Sequence, residues 1–428
     1  MVISLLDAFC VCSAMILSIF KGINIPKHKI PLYPFITMLG ALVLLITGAL
    51  PISEALELFT SDTAVNPLRI LILFFSMSAL SIYLDEAGFF GYVAAKVMRF
   101  VKKKQIYLFL LLYFLVSVLT VFTSNDIVIL TFTPFMCYFC KNAGISPIPY
   151  LFAEFVGANT FSMLLVIGNP TNIYLSLAAG IGFIEYFKVM LFPSLFGGVT
   201  ALLLMLLIFS RQLKKEISPK VEKAEIDVCR AYIGGACLLF ATVMLALSDF
   251  LPFEMWEIAL FFASLVLLSD LVYKAVTKKK SGALNTIKRI PWTLLPFMLS
   301  MFILVEALNY NGVCGWIAEL LEGGNPIFTY GILSTLFSNL VNNIPMSVFF
   351  SSVLGSGAPA SAVYATVIGS NIGAYLTPIG ALAGIMWMQI LKEQGVKLSF
   401  GRFCFFGILI AIPVLVASLL GLALTLGF

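Results

Sequence analysis

Apolar segments of membrane-spanning length dominate this sequence and limit what it can fold into. Eight clear stretches occupy residues 2–20, 31–49, 67–84, 186–209, 231–249, 254–273, 290–308 and 404–426. A helix of about 20 apolar residues crosses the hydrocarbon core of a bilayer. Only 11% of the residues are charged, against about 25% in soluble domains. The chain is therefore predicted to be an integral membrane protein, and it has no polar stretch long enough for an aqueous catalytic domain.

The basic residues indicate how the chain is oriented in the membrane. They concentrate in five segments, at 21–29, 96–104, 211–230, 274–289 and 392–402. Basic loops stay on the cytoplasmic side, so these five segments are predicted to be cytoplasmic in a multi-pass inner (cell) membrane protein. The net charge of +5 lies in these short loops and gives no indication of nucleic-acid binding. The N-terminal segment lacks the basic start and cleavage site of a signal peptide and is interpreted as a retained first helix.

Two further apolar regions, 105–182 and 326–388, are interrupted by Asn, Ser, Pro and Gly. Lys102–Lys104 precede the first region and Lys141 lies inside it. A re-entrant hairpin over about 105–140 keeps both basic ends on one side, and it places Ser124-Asn125-Asp126 at a tip inside the membrane. Irregular backbone at that depth is tolerated only where it is buried in protein or lines a cavity.

An internal repeat accompanies these interruptions. "SMSALSIYLDEAGFFGYVA" from Ser76 is echoed by "SMFILVEALNYNGVCGWIA" from Ser300. In the same order, Ser124-Asn125 is echoed by Ser338-Asn339, "GANT" at Gly157 by "GSNI" at Gly369, and Pro170 by Pro378. The orientation set by the basic loops makes the two halves inverted. Inverted repeats with broken helices are typical of secondary transporters.

The predicted fold is thus an all-α polytopic membrane protein with two inverted-topology repeats. Each repeat is expected to contain about five transmembrane helices, one re-entrant hairpin and a helix broken at the midplane. The repeats cover 1–210 and 231–428, joined by a cytoplasmic linker at 211–230. The hairpins are placed at about 105–140 and 326–355, and the broken helices at about 149–182 and 358–388.

The hairpin tips and helix breaks supply the candidate site. Freed backbone groups and Asn, Ser and Thr oxygens at such breaks suit an anion, an oxygen-rich solute or Na⁺. The predicted substrate or ion ligands are Ser124, Asn125, Asp126, Asn169, Pro170, Thr171, Asn172, Ser338, Asn339, Asn342, Asn343, Asn371, Thr377 and Pro378. A sodium ion is predicted to bind at Ser124, Asn125, Ser338 and Asn339. Asp126 is the coupling candidate, as a proton carrier or a sodium ligand, and the alternative is that Asp126, Ser124 and Asn125 only cap the second hairpin arm.

Other chemistry has little support in the sequence. Cys137 and Cys140 form a CxxC pair that is best explained as buried thiols, and the eight cysteines show no disulfide framework. No cofactor other than H⁺ or Na⁺ is expected. Ser124 and Asp126 lack a histidine or lysine base in the apolar core, which argues against an enzyme. A channel is disfavoured because broken helices suit alternating access better than a continuous pore. Glu154 is a further carboxylate that the sequence places inside a span.

Taken together, these motifs resemble the ion transporter superfamily, and most closely its arsenite permease (ArsB) and NhaD-type members. "SND…LTFTPF" at 124–135 is similar to the family's Asn-Asp hairpin, and "NNIP" at 342–345 to its second Asn-Asn-x-Pro. "GSNIGAYLTPIGALAGIMWMQILKEQGVKLS" from Gly369 is similar over its whole length. The resemblance implies a two-hairpin fold, proton-coupled export of arsenite or antimonite and a homodimer. The alternatives are a sodium- or proton-coupled di- or tricarboxylate or inorganic anion transporter, and a Na⁺/H⁺ antiporter.

Overall fold

The computed structural model describes residues 2–18, 22–25, 28–62, 66–98, 104–217, 225–278, 281–355 and 357–427. The first half contains α1 (Val2–Ser18), β1 (Gly22–Ile25), β2 (His28–Pro31), α2 (Tyr33–Ile46), α3 (Ile52–Thr60), α4 (Pro67–Glu86), α5 (Phe89–Met98), α6 (Gln105–Phe122), α7 (Asn125–Asn142), α8 (Ile148–Ser162), α9 (Pro170–Ala178), α10 (Phe183–Ile208) and α11 (Ser210–Leu213). The second half contains α12 (Val228–Ala246), α13 (Met255–Thr277), α14 (Gly282–Arg289), α15 (Leu294–Tyr310), α16 (Val313–Leu321), α17 (Pro326–Val341), α18 (Asn343–Leu354), α19 (Ala360–Gly373), α20 (Leu382–Glu393) and α21 (Phe400–Leu426). Apart from one antiparallel strand pair, the described elements are helical, which confirms the predicted all-α class.

Membrane-length helices are present, with changes from the predicted spans. Seven segments of the described chain are long and apolar enough to cross a membrane: Pro67–Glu86, Gln105–Phe122, Phe183–Ile208, Val228–Ala246, Met255–Thr277, Gly282–Tyr310 and Phe400–Leu426. Helix α1 covers 2–18, and the last two residues of the predicted span 2–20 lie outside the described residues. Helix α2 has 14 residues, so the predicted span 31–49 was too long. The second of these helices is followed by a turn at Gly48, whose φ is +68°, a conformation that glycine adopts easily.

The course of the first hairpin is not fixed by helix length alone. Helix α6 has 18 residues, a length of about 27 Å, which is enough to cross the hydrocarbon core by itself. The re-entrant path and the inverted orientation of the halves therefore stay predictions.

The helices form two groups that each draw on both halves of the chain. In the first group, the site bundle, α6–α10 pack with α17–α21, chiefly through α10 on α21, α17 on α19, α6 on α8 and α7 on α20. In the second, the support bundle, α4 packs on α12, α13 and α14, while α2 packs on α15 and α1. Helices α15 and α4 join the bundles through α18 and α9. The breaks in the chain therefore meet inside the site bundle.

Small residues allow a close helix contact in the site bundle. A Cβ added to Gly369 on α19 would lie 1.9 Å from Ser334 Oγ and 2.5 Å from Gly331 O on α17. Close backbone approach through small residues is a usual way to associate membrane helices. The glycine of the "GSNI" motif thus lets α19 lie directly against the first arm of the second hairpin.

A buried carboxylate connects the two halves in the support bundle. Asp270 on α13 is fully buried, and its Oδ1 lies 2.9 Å from Arg230 Nε on α12. Tyr83 Oη of α4 donates to the same oxygen at 3.2 Å. Asp270 Oδ2 accepts from Ser281 Oγ and the Ala283 backbone at 2.8 and 2.9 Å. A buried charge needs such a complete set of partners, so Asp270 is structural.

The cysteines only partly follow the prediction of buried thiols. Cys137, Cys140, Cys237 and Cys314 are buried, whereas Cys10 and Cys229 are exposed on their helices. His28 and most of the basic segment 21–29 lie outside the residues with described side chains. Within the described ranges, no group of three His, Cys, Asp or Glu side chains could hold a metal ion.

Candidate functional site

The first hairpin breaks at Thr123 and Ser124, between α6 and α7. Both residues have extended backbone angles, and Ser124 is the N-cap of α7 without making a side-chain capping bond. Asn125 and Asp126 therefore occupy the first turn of α7, where an acidic side chain interacts favourably with the helix dipole. Ser124 is buried by 94% and Asn125 by 99%, and Asp126 is half-buried. Ser124 thus holds the N-cap position of the second arm without a side-chain capping bond, and the capping alternative stays open for Asp126.

The second hairpin breaks at Asn342, and this corrects the sequence alignment of the two tips. Ser338 and Asn339 lie in the last turn of α17, and α18 begins at Asn343 with Asn342 as its N-cap. The residues that occupy the positions of Ser124 and Asn125 are therefore Asn342 and Asn343. The "Ser-Asn" match in the sequence pairs residues one helical turn apart in the structure, because the second tip is formed by the following "NNIP" instead.

The two broken helices are interrupted where Gly, Pro and Asn occur. In the first, α8 ends at Ser162 and α9 begins at Pro170, with Asn169 as its N-cap accepting from Thr171 N at 3.2 Å. In the second, α19 ends at Gly373 and α20 begins at Leu382. Thr377 and Pro378 lie in the intervening unwound stretch. Proline has no N–H to donate and fits the first turn of α9.

Asn371 joins the two broken helices in a buried polar network. Its Oδ1 accepts from Ser162 Oγ and from Asn169 Nδ2, each at 2.9 Å. Its Nδ2 donates to Asn172 Oδ1 at 2.7 Å and to Val367 O at 2.9 Å. Asn371 is fully buried, so its amide group is saturated and holds α8, α9 and α19 together.

Thr171 and Asn172 complete this network on α9. Thr171 Oγ1 lies 3.1 Å from Ser370 Oγ. Asn172 Nδ2 donates to the carbonyl oxygens of Ser162 and Leu165 at 2.8 and 3.1 Å. The carbonyl groups freed by the end of α8 are thus satisfied by the next helix. Of the predicted ligands, Asn172 and Asn371 use their side-chain amide groups for hydrogen bonds within the protein.

One site residue was missed in the sequence. Asn159 on α8 is fully buried, and its Oδ1 accepts from Asn125 Nδ2 at 2.9 Å. Ser162 Oγ, which also bonds to Asn371, lies 2.8 Å from the Asn159 backbone oxygen. Asn159 therefore links the first hairpin tip to the Asn371 network. The repeat contained the signal, since "GANT" matches "GSNI" and places Asn159 opposite Asn371.

The second hairpin is bonded closely to the unwound stretch after α19. Asn339 Oδ1 accepts from Thr377 N and Thr377 Oγ1 at 3.0 and 2.7 Å, and its Nδ2 donates to Gly373 O at 3.0 Å. Ser338 Oγ donates to Thr335 O at 2.8 Å. These contacts occupy the Asn339 carbonyl, whereas Ser124 Oγ and Asn125 Oδ1 have no partner; the sodium site at the two Ser-Asn pairs stays a prediction.

The tip itself is held by Asn342 and Asn343. Asn342 Nδ2 donates to Ile379 O at 3.1 Å, and the Asn343 backbone donates to Gly380 O at 3.0 Å. Asn342 adopts φ +83° and ψ 154°, a region that is almost confined to glycine and costs other residues about 1–3 kcal/mol.

The Asn342→Gly variant is expected to be more stable than Asn342→Ala by about 1–3 kcal/mol, because both lose the same side-chain bonds but only glycine escapes the strain. The unfolding midpoints of the two purified variants in one detergent measure this difference. Equal midpoints would show that the backbone at the tip is unstrained.

The first tip has unused oxygens on adjacent residues. Ser124 Oγ and Asn125 Oδ1 are buried and have no hydrogen-bond partner. Among the described residues, the half-buried Asp126 carboxylate has no hydrogen bond or ion pair either. Buried polar groups are nearly always bonded, so these adjacent oxygens form the part of the network open to a ligand. Asn343, 96% buried, has a side-chain amide without a bond inside the described chain.

Solved structures of known transporters share this fold. The YdaH transporter of Alcanivorax borkumensis aligns with a TM-score of 0.59 over 100% of this chain and 98% of its own, at 14% identity. MtrF of Neisseria gonorrhoeae, described with a class of antimetabolite efflux pumps, aligns with a TM-score of 0.53 over 98% and 94% at 14% identity. At such identities the likeness concerns the fold alone.

Sequence relatives extend the likeness to a group of transporters. An "Arsenical pump membrane protein" of Escherichia coli K12 is 28% identical over 414 residues, 91% of this chain and 93% of that protein. The protein of the same name in Yersinia enterocolitica is 29% identical over 374 residues, covering 82% and 85%. Residues 15–366 match the family model CitMHS, described as "Citrate transporter". This match covers most of the chain, and the protein therefore belongs to the CitMHS family of membrane transporters within the ion transporter superfamily.

Proposed function

We propose that this secondary transporter exports arsenite or antimonite as neutral trihydroxides, in exchange for protons, through the first hairpin tip. The proposal depends chiefly on one observation, the unpartnered oxygens of Ser124 and Asn125 beside the unpaired carboxylate of Asp126. Three adjacent residues there offer hydrogen-bond acceptors at one helix start. Homologues and fold neighbours are transporters or pumps and not enzymes, and the site lacks a nucleophile–base pair.

The chemistry of the free groups favours a neutral solute rich in hydroxyl groups. As(OH)₃ and Sb(OH)₃ present O–H donors, which complement unpaired amide, hydroxyl and carboxylate oxygens. None of the buried polar side chains in the described ranges is basic. A buried anion is normally matched by a cationic partner or several N–H donors, and next to Asp126 it would meet a charge of the same sign.

The second candidate is an anion such as citrate, succinate or sulfate, which the family description favours. Half-helices beginning at Asn125, Pro170, Asn343 and Leu382 could point N–H groups at an anion. A cavity of about 420 Å³ is also lined by a basic side chain, Arg69. That guanidinium, however, already bonds to Asp62 and, at 2.8 and 3.0 Å, to both oxygens of Glu254.

Coupling is assigned to Asp126. It carries the free carboxylate of the tip, and taking up a proton would remove the cost of a charge in the bilayer, about 2.5–3.5 kcal/mol at its centre. Sodium coupling would use the same carboxylate with Ser124 and Asn125 as oxygen ligands. We also propose that the chain lies in the inner membrane with its basic segments in the cytoplasm, and that it forms a homodimer, as the superfamily resemblance implies.

Transport by the purified protein in liposomes tests the substrate directly. With an imposed proton gradient, As(III) should accumulate above its external concentration, and a protonophore should abolish the accumulation. If As(III) does not move while citrate, succinate or sulfate enters with sodium or protons, the anion candidate replaces this proposal.

A further inference from the structure

A second intramembrane carboxylate, Glu154 on α8, is unused by the proposed site and has unusual surroundings. Glu154 is fully buried, and its Oε2 has no hydrogen-bond partner. Its Oε1 lies 2.8 Å from Thr133 Oγ1 on α7. In contrast to Asp270, no ion pair to Glu154 is present within the described ranges, and no buried side chain there is basic.

The contacts of Thr133 indicate which group carries the proton. Thr133 Oγ1 lies 2.6 Å from Ile129 O as well as 2.8 Å from Glu154 Oε1. A threonine hydroxyl has one hydrogen to donate, and a backbone carbonyl can only accept. This single hydrogen lies within reach of both Ile129 O and Glu154 Oε1, and Glu154 Oε2 has no partner at all. A charged carboxylate would be poorly compensated by one shared donor, so these surroundings favour the neutral carboxylic acid.

Glu154 lies on the same helix interface as the candidate site. Asn125 of α7 and Asn159 of α8 are bonded across this interface at one level, and Thr133 and Glu154 at another. Five residues separate Asn159 from Glu154, about 7.5 Å along α8, and eight separate Asn125 from Thr133, about 12 Å along α7. A proton on Glu154 is thus about two helical turns from the hairpin tip, toward the end of α7 that carries Lys141.

Other titratable groups on the packed helices do not supply a charge to this position. Cys137, one turn along α7, interacts electrostatically with Glu154. Cys140 follows on α7, and Tyr150 on α8 donates to Gln105 of α6 at 2.9 Å. Tyr113 and Tyr186 donate to the carbonyls of Gly198 and Met163, and Tyr375 bonds to Thr160. On α20, which packs on α7, Lys392 and Glu393 are exposed.

We propose that Glu154 is a second proton-binding site, which loads one proton on one side of the membrane and releases it on the other during the transport cycle. Binding converts the carboxylate to the acid and release regenerates it, with no other reactant. This rests on the proposed proton-coupled function and adds a relay residue to it. In this scheme Asp126 contacts the solute at the hairpin tip, and Glu154 binds a proton about two helical turns away from it.

Glutamine at position 154 separates this role from a structural one. It keeps the size and can still donate to Thr133, so a purely structural Glu154 would tolerate it. In liposomes, Glu154→Gln should lose accumulation of As(III) against its gradient but keep exchange of As(III) at equal pH. Glu306→Gln, which neutralises a half-buried carboxylate of the support bundle, is the matched control and should keep both activities. Unchanged accumulation and pH dependence in Glu154→Gln would overturn the proposal.

Infrared spectroscopy tests the proton independently of the substrate. The purified wild type should show the carbonyl stretch of a protonated carboxyl group that disappears in Glu154→Gln and remains in Glu306→Gln. Persistence of the full band in Glu154→Gln overturns the assignment. If the wild type does not transport As(III), the proposed substrate is wrong, but the infrared band still tests whether Glu154 is protonated. Should Glu154→Gln not fold, Thr133→Val keeps the carboxyl and should shift the band; an unshifted band would contradict the contact on which the proposal depends.

Discussion

Asp126→Asn is expected to abolish transport of As(III) against its gradient. The amide keeps the size of the side chain and a hydrogen-bonding carbonyl, so the solute can still bind at the tip with Ser124 and Asn125. It cannot take up a proton, so solute and proton movement become uncoupled. The measurement is As(III) uptake into liposomes with an imposed proton gradient, where the variant should reach only equal concentrations inside and outside.

Stability measurements distinguish this loss from misfolding. Because the Asp126 carboxylate has no partner among the described residues, removing its charge should leave the unfolding midpoint equal to that of wild type or higher. Asp126→Glu retains the carboxylate on a longer side chain and should restore part of the uphill uptake. If Asp126→Asn still concentrated As(III), Asp126 would be only a favourable residue at the start of α7, and coupling would lie elsewhere.

Local chemistry made much of the fold predictable. Asn, Pro and Gly marked both helix breaks, because these residues free or remove backbone hydrogen bonds wherever they occur in an apolar segment. The all-α class followed from segment length and composition. Whether α6 crosses the membrane or forms one arm of a re-entrant hairpin could not be predicted, since a largely apolar helix of 18 residues suits both equally well.

Tertiary contacts decided the rest of the site. Ser338 and Asn339 looked equivalent to Ser124 and Asn125 by identity, yet the tip forms at Asn342, where bonds to the unwound 374–381 stretch compensate a strained backbone. Asn125 and Asn172 look alike in sequence, but one keeps a free oxygen and the other does not. Partners supplied by residues far along the chain determine that difference, and no local pattern records them.

Asn371→Ala is expected to cause the largest loss of stability, because Asn371 saturates its amide inside the bundle. The substitution removes its bonds with Ser162, Asn169, Asn172 and Val367. Side-chain hydrogen bonds between membrane helices average about 0.6 kcal/mol, so the bonds alone contribute about 2 kcal/mol. Leaving buried partners unpaired adds about 1–3 kcal/mol for each group that finds no substitute.

The expected destabilisation is thus about 3–5 kcal/mol, visible as a lower unfolding midpoint in detergent, by heat or by SDS titration. Asn343→Ala is the matched control, since it removes the same amide from a buried position at a helix start where the side chain has no bond within the described chain. It should leave the midpoint nearly unchanged and lower transport instead. If both variants unfolded alike, the Asn371 network would not be what holds the broken helices together, and the division between a saturated structural core and an open first tip would be wrong. If only Asn371→Ala is destabilised, the residues of the Asn371 network use their polar groups to bond to one another. The oxygens of Ser124 and Asn125 then remain available to a ligand.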